Sequence, residues 1–138
     1  MSGVTDLSRL LATMRPKLSD ETYVFVSISQ DAAVPGDLQA LMSFREDEGL
    51  TMIVSEQQAL AAGMVGTFKC RMITLMVHSS LNAIGFLAAI TTHLATAGIS
   101  VNPVSAFFHD HLFIPTERTE EAAEILRRLA ASEAPEKG

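Results

Sequence analysis

The chain has 138 residues, 48% of them hydrophobic, which suits one compact domain or two small units that share a core. Its net charge of −6, without any cluster of Lys and Arg, argues against nucleic acid and membrane surfaces as partners. No apolar run is long enough to span a bilayer, and the N-terminus lacks a signal-peptide pattern. Cys70 is the single cysteine, which fits a reducing compartment. We therefore expect a soluble cytoplasmic protein.

The N-terminal part predicts a short helix followed by a strand. Apolar residues recur there at helical spacing: Leu7, Leu10, Leu11 and Met14. Pro16 follows them and ends the pattern. The segment TYVFVSIS, residues 22–29, is rich in β-branched and aromatic side chains, which is typical of a strand. The segment 31–37, with Pro35-Gly36, predicts a loop.

A β-hairpin and a short helix are predicted next. Apolar residues alternate on both sides of the sequence EDEG, where Gly49 can adopt a positive φ. Ser55 and Gln58 then have the spacing of a capping box, in which each side chain satisfies an amide at the start of a helix. We therefore expect a helix over about residues 55–62 that ends at Gly63.

The second half begins with a long strand and a long helix. Residues 67–78 are apolar on both faces in their middle, as in a central strand that is buried between layers. The helix that follows reaches Ala97 and ends at Gly98. Its predicted buried face contains Ala83, Leu87, Ile90, Leu94 and Ala97.

A second hairpin and a last helix complete the predicted elements. The hairpin pairs residues 99–108 with residues 111–115 around the sequence His109-Asp110-His111. Thr119 is expected to cap the last helix, in which Glu124 and Arg128 face water one turn apart. Its buried stripe is predicted to contain Ala122, Ile125, Leu126 and Leu129.

The order of these elements predicts an α+β, ferredoxin-like fold with two βαββα units in tandem, residues 1–66 and 67–138. Each half ends in a hairpin with a short acidic turn that leads into a helix. We expect antiparallel sheets with the helices on one face. The two units would pair sheet edge to sheet edge or pack helix against helix. The alternative is an accidental likeness between two stretches of an ordinary α+β chain.

The segment 77–107 resembles the ACT domain, a small-molecule-sensing module of amino-acid metabolism. Residues at both ends of its helix match the usual pattern of the family: Gly85, Leu87, Ile90, Leu94, Ala95, Gly98 and Ile99. Asn82 stands where the family usually has Asp, and Ile84 where it has Pro. The whole chain is similar to a bacterial group of stand-alone tandem ACT-like proteins of unknown function. The first half departs from the pattern because residues 31–37 are too few for the usual first helix.

The resemblance points to the start of the long helix as a ligand site. A helix N-terminus offers unpaired amides and a partial positive charge, which suit a carboxylate. A small amino acid or related carboxylate would be held by the amides of Ala83, Ile84, Gly85 and Phe86. The resemblance implies that this loop, with Ser80, faces Val101 and Asn102, often across a subunit or repeat interface. Asn82 and Asn102 would then bind the amino group. The alternative is that Ser80 or Asn82 only caps the helix.

Two other function classes remain open at this stage. One is a small metal-binding protein or enzyme that uses the turn His109-Asp110-His111, although the spacing is not a metal signature. The other is an interaction module without a ligand. We expect a non-catalytic, regulatory or sensor protein without a cofactor or metal. We also expect a homodimer, because a unit this small leaves sheet edges or helix faces that need cover.

Overall fold

The computed structural model describes residues 6–134. The strands are β1 (Arg15–Ile28), β2 (Met42–Glu46), β3 (Gly49–Ser55), β4 (Thr67–Met76), β5 (Asn102–Ser105) and β6 (Asp110–Pro115). The helices are α1 (Leu7–Thr13), α2 (Glu56–Ala61), α3 (Phe86–Thr96) and α4 (Thr119–Glu133), and the turn Thr116–Arg118 precedes α4 as a 3-10 helix. All six strands belong to one sheet in the order β2-β3-β1-β4-β6-β5, and every neighbouring pair is antiparallel.

The two halves of the chain meet at the centre of this sheet. In each half the first strand pairs with the third, and the second lies outside. The two first strands, β1 and β4, pair with each other, from Arg15 opposite Met76 to Phe25 opposite Thr67. The predicted tandem α+β arrangement is therefore confirmed, and of the two expected ways to join the units it uses edge pairing.

Strand β1 begins seven residues earlier than the sequence predicted, at Arg15. The early part of this strand is polar, so its pattern did not indicate a strand. A bulge follows Leu18, and from Thr22 the register resumes. Arg71 supports the bulge, because its Nε donates a hydrogen bond of 2.9 Å to the carbonyl of Ser19. The backbone N–H of Met72 donates to the Ser19 hydroxyl at 3.1 Å.

Two apolar cores lie on the helical face of the sheet. The larger lies under α1, α3 and α4, and its largest fully buried members are Leu10, Met14, Ile73, Leu75, Ile90, Leu94, Leu112, Ile114 and Leu126. The smaller lies under α2 and contains Val24, Val26, Ile28, Met52, Val54 and Ala59. The N-terminal helix thus packs in the core of the second half, and the first half has only the short α2 as cover.

The ends and faces of several helices differ from the predictions. Ser55 does cap α2, where it accepts from the N–H of Gln58 at 3.2 Å, but the side chain of Gln58 accepts from the backbone of Gln39 at 2.7 Å. A reciprocal capping box is therefore absent there. Thr119 does not cap α4, because its hydroxyl donates to the carbonyl of Pro115 at 3.0 Å. In α3 the fully buried residue of the first turn is Phe86, and Leu87 is only half-buried.

The hairpin of the second half turns earlier than predicted. Its turn comprises residues 106–109, closed by a 3.0 Å hydrogen bond from the N–H of Ala106 to the carbonyl of His109. Asp110 pairs with Ser105 and His111 with Val104, so both belong to β6. The prediction that His109-Asp110-His111 forms the turn is therefore wrong. Successive strand residues point to opposite faces, and Asp110 and His111 are separated by the sheet.

The helix-free face of the sheet carries a third apolar cluster. Ile53, Cys70 and Phe113 are buried there, with Phe25 and Phe68 packed against them. The rings of Phe25 and Phe113 meet edge to face with centroids 6.0 Å apart. Phe68 has a positive φ of 59° and lies at a bulge of β4, where Phe68 and Lys69 oppose the single residue Val24 of β1. The bulge brings its ring to Phe25, with centroids 5.8 Å apart.

Candidate functional site at the start of helix α3

The loop between β4 and α3 is a tight turn that Ser80 organises. The N–H of Ala83 donates to the carbonyl of Ser80 at 2.9 Å, and the N–H of Asn82 donates to the Ser80 hydroxyl at 3.1 Å. Ser80 therefore closes the turn before the helix and does not cap the helix. The amide of Ala83, one of the four predicted to bind a carboxylate, is already paired with protein.

Helix α3 itself begins without a side-chain cap. Gly85 occupies the N-cap position with φ of 88°, a left-handed conformation that favours glycine. Its carbonyl accepts the first hydrogen bond of the helix, from Ala89 at 2.9 Å. The first-turn amides of Phe86, Leu87 and Ala88 precede that bond and have no partner within the helix. Gly85 is thus required by the turn geometry, and the amides after it form the positive end of the helix dipole.

A cavity of about 200 Å³ adjoins this helix start. Residues of the loop and of the first helical turn line one part of it: Ser79, Ser80, Leu81, Ala83, Phe86 and Leu87. Ser105, Ala106 and Asp110 from the β5–β6 hairpin line the rest. Asp110 is 9% exposed, and its carboxylate has no ion pair or side-chain hydrogen bond with any residue in 6–134. A carboxylate and a helix N-terminus therefore border the same small space.

The structure brings together only part of the predicted site. Ser80, Ala83 and Phe86 line the cavity, whereas Asn82 and Ile84 are exposed outside its lining. Gly85 lies beside α1, where a Cβ added to it would come within 3.5 Å of the Leu7 side chain. Within one chain, Val101 and Asn102 lie at the start of β5, beside the end of α3. The crossover from β4 through α3 places the start of α3 beside the end of β5, so Ser105 takes that position.

Asp110 is a residue that the sequence analysis did not assign to this site. A signal for it was present, because Asp110, Leu112 and Ile114 alternate along one strand. Leu112 and Ile114 are buried under the helices, so the same period places Asp110 on the helical face. Treating Asp110 as a turn residue concealed that pattern.

The four histidines do not form a common centre. The rings of His109 and His111 are 6.2 Å apart, but Nδ1 of His111 lies 2.9 Å from the hydroxyl of Thr74 on the helix-free face. His93 hydrogen-bonds the carbonyl of Ala89 in its own helix, and His78 packs against Phe108. Among residues 6–134, no three metal-ligating side chains converge.

Cys70 is buried between strands and carries no catalytic geometry. Burial raises the pKa of its thiol to about 12, so the nucleophilic thiolate is scarce near neutral pH. Its sulfur lies 3.5 Å from the carbonyl of Tyr23. Cys70 is thus a small apolar residue of the helix-free face.

Comparisons with known proteins agree with this fold. Two ACT domain family models match the sequence, one over residues 2–71 and the other over residues 67–128. A protein of unknown function from Vibrio cholerae, described as a possible transport protein, is 36% identical over 90% of this chain and 95% of that chain, with a TM-score of 0.79. The resemblance found in the sequence is therefore confirmed.

More distant structures share the fold alone. A protein from Agrobacterium tumefaciens is 18% identical over 85% of this chain and 89% of that chain, with a TM-score of 0.68. The regulatory subunit of aspartate kinase from Thermus flavus is 12% identical over 86% of this chain and 98% of that chain, with a TM-score of 0.60. No functionally curated protein matches the sequence. None of the helices within residues 6–134 has the length and apolar character needed to cross a bilayer.

Proposed function

This chain belongs to the ACT domain family, and from that premise we propose that it is a non-catalytic regulatory protein that binds a small amino acid or a related carboxylate. Family membership supports a regulatory role, since ACT domains are regulatory modules. The fold shared with aspartate kinase regulatory subunits is consistent with it. We place the protein in the cytoplasm, where a single buried cysteine stays reduced.

The observation that carries this proposal is the pairing of two opposite charges around one small cavity. The first-turn amides of Phe86 and Leu87 provide partial positive charge for a carboxylate. The buried carboxylate of Asp110 provides a partner for an ammonium group. A free α-amino acid carries both charges within a few ångströms. The volume of about 200 Å³ favours small side chains, since it lies below the roughly 300 Å³ at which pockets for drug-sized ligands begin.

As a second part of the proposal, Asn82 and Asn102 contact the amino group of a ligand that lies at the interface with a neighbouring subunit. Within one chain Asp110 has the better position for that role, because it lines the cavity. Asn82, at the exposed loop, and Asn102, at the opposite end of β5, would reach a ligand only across an interface.

The proposed homodimer has an apolar surface available beside the cavity. Ile84 is 85% exposed, and Phe107 and Phe108 are 62% and 60% exposed. Leu81, also exposed, lies among the lining residues of the cavity. A cluster of exposed aromatic and aliphatic side chains marks an interaction surface, and a second copy would cover both the cluster and the mouth of the ligand cavity.

The ligand proposal is tested by isothermal titration of the full chain with each of the twenty amino acids. We expect saturable binding of a small amino acid, weakened about ten-fold or more by Asp110→Asn and unchanged by Asp37→Asn, a matched substitution in the exposed loop before β2. A loss of affinity in Asn82→Ala would support the predicted contact between Asn82 and the ligand. Binding of no amino acid, or equal affinity in Asp110→Asn, would contradict the proposal.

The homodimer is tested by sedimentation equilibrium. We expect a dimer that the double variant Phe107→Ser/Phe108→Ser converts to a monomer. Leu60→Ser, which removes an equally exposed apolar side chain on α2, is expected to remain dimeric. A wild-type monomer at every concentration would show that the homodimer is wrong.

A further inference from the structure

The helix-free face of the sheet contains a cleft of about 240 Å³ on the opposite side from the cavity at α3. Leu41 and Met42, from the β2 edge, line it together with Met72 and Val104. Phe113, only 1% exposed, forms its floor. Residues from both outer strands border one cleft, so this face is concave. Any occupant therefore contacts both halves of the chain.

His111 is the only titratable side chain that lines this cleft. Its Nδ1 lies 2.9 Å from the hydroxyl oxygen of Thr74, and in the tautomer in which Nδ1–H donates to that oxygen, Nε2 is a hydrogen-bond acceptor. Its Nε2 has no hydrogen bond with any residue in 6–134 and remains available to a ligand. The rest of the lining is almost wholly apolar, so a charged ligand would lose hydration there without a compensating partner.

We propose that this cleft binds a neutral compound of one or two rings whose single hydroxyl or N–H group hydrogen-bonds to His111. The size agrees, since a dry cavity of about 150 Å³ accommodates benzene and pockets for larger, drug-sized ligands begin at roughly 300 Å³. Met42 and Met72 adapt to rings of different shape. A protein partner would need about 800 Å² of surface per side, far more than the seven residues around one cleft, Ala106 included, provide.

Indole is a suitable probe because the protein contains no tryptophan. With excitation at the red edge of the indole absorption, where the single tyrosine does not absorb, the fluorescence in a titration with the full chain reports only the ligand. We expect saturable binding with one site and a Kd between about 10 µM and 1 mM, given the number of atoms in indole. Indoleacetate, which carries a charge, is expected to bind about ten-fold more weakly.

A substitution that fills the cleft tests whether indole binds there. Val104→Phe, in the lining, is expected to weaken indole binding about ten-fold or more, whereas Val65→Phe, at a position that is 93% exposed elsewhere, should not. In the wild type, ¹³C-methyl signals of Met42 and Met72 should shift on binding, while that of Met14, in the other core, should not. This measurement needs no variant.

Four results would overturn the proposal. The first is the absence of saturable indole binding. The second is a wild-type affinity in a folded Val104→Phe variant, and the third is a set of methyl shifts confined to methionines outside the cleft. The fourth is a change of oligomeric state in Val104→Phe, which would mean that a second copy of the chain covers this face. Failure of amino-acid binding at α3 would leave the proposal standing, since the two experiments use different ligands and different variants.

Discussion

The hydroxyl oxygen of Thr74 lies 2.9 Å from Nδ1 of His111 and joins β4 to β6 on the helix-free face. Burial lowers the pKa of His111, and the nearby charge of His109 lowers it further, whereas Asp110 acts weakly in the opposite direction. Lys17, which is opposite Thr74 across the β1–β4 pair, is the other cation near this point. The imidazole is thus held in its neutral form, as a hydrogen-bonding partner.

This arrangement predicts that acid destabilises the protein through His111. The unfolded chain has the ordinary histidine pKa of 6.5, above that of the folded state, so it takes up the proton first as the pH falls. The free energy of unfolding should therefore decrease below about pH 6.5. His111→Gln retains a partner for Thr74 without this titration. In urea denaturation, the difference in unfolding free energy between wild type and variant should be largest near neutral pH. A difference that is constant or grows on acidification would contradict this explanation.

Phe68 should show the energetic cost of its left-handed backbone. Phe68→Ala and Phe68→Gly both remove the ring that packs on Phe25, so both should destabilise the protein. Glycine adopts the φ of 59° without steric cost, so the glycine variant should be more stable than the alanine variant by about 1 kcal/mol. Thermal or chemical denaturation of the two variants measures the difference. An alanine variant of equal or greater stability would show that this conformation is not strained.

Cys70 should be unreactive in the folded protein. Its thiol is fully buried and its pKa is raised to about 12, so both access and thiolate are lacking. A chromogenic disulfide reagent near pH 8 should modify it only after denaturation. Val65→Cys, at an exposed position, provides the control and should react with one equivalent in the folded state. Rapid reaction of the wild type would mean that β4 opens readily.

Gly66 should be intolerant of any side chain. A Cβ placed there would lie 2.4 Å from Cβ of Val24, closer than any real contact. Gly66→Ala should therefore destabilise the protein by about 1–3 kcal/mol. Gly36→Ala, where no atom lies within 4 Å of the added Cβ, should change stability by less than about 0.5 kcal/mol. Val24→Gly removes the Cβ that an added Cβ at Gly66 would meet, so the double variant Gly66→Ala/Val24→Gly should lose less stability than the sum of the single variants, and strict additivity would contradict the clash.

The sequence predicted the elements well where one face of each is apolar. The alternation over residues 40–54 and the β-rich segments 22–29 and 67–78 correspond to β1–β4 in the sheet. The sequence pattern did not predict the strand at Arg15–Leu18, because this segment is polar. The bulge after it is stabilised by Arg71 and Met72, which lie some fifty residues further along the chain. Local patterns do not contain such long-range hydrogen bonds.

The helix start that carries the candidate site was predictable from the sequence, whereas the side chains that line its cavity were not. Gly85 was visible in the sequence, whereas the absence of a side-chain cap on α3 was not, because Ser80 and Asn82 were both candidates for that role. Val101 and Asn102 were assigned to the site through the family resemblance, often across an interface, and local sequence patterns do not contain the position of a second subunit. Asp110 was missed for a different reason, since a shift of one or two residues at the hairpin turn changes the face on which it lies.

Strand β1 passes through both helical-side cores, with Leu18 in the larger and Val24 in the smaller. The helix that precedes it packs over the half to which it does not belong by sequence. Expression of the second half alone would thus remove α1 and β1, which cover its core, and would expose Leu75 and Ile73. The two repeats therefore form one folding unit, and we expect neither repeat to fold when it is expressed alone.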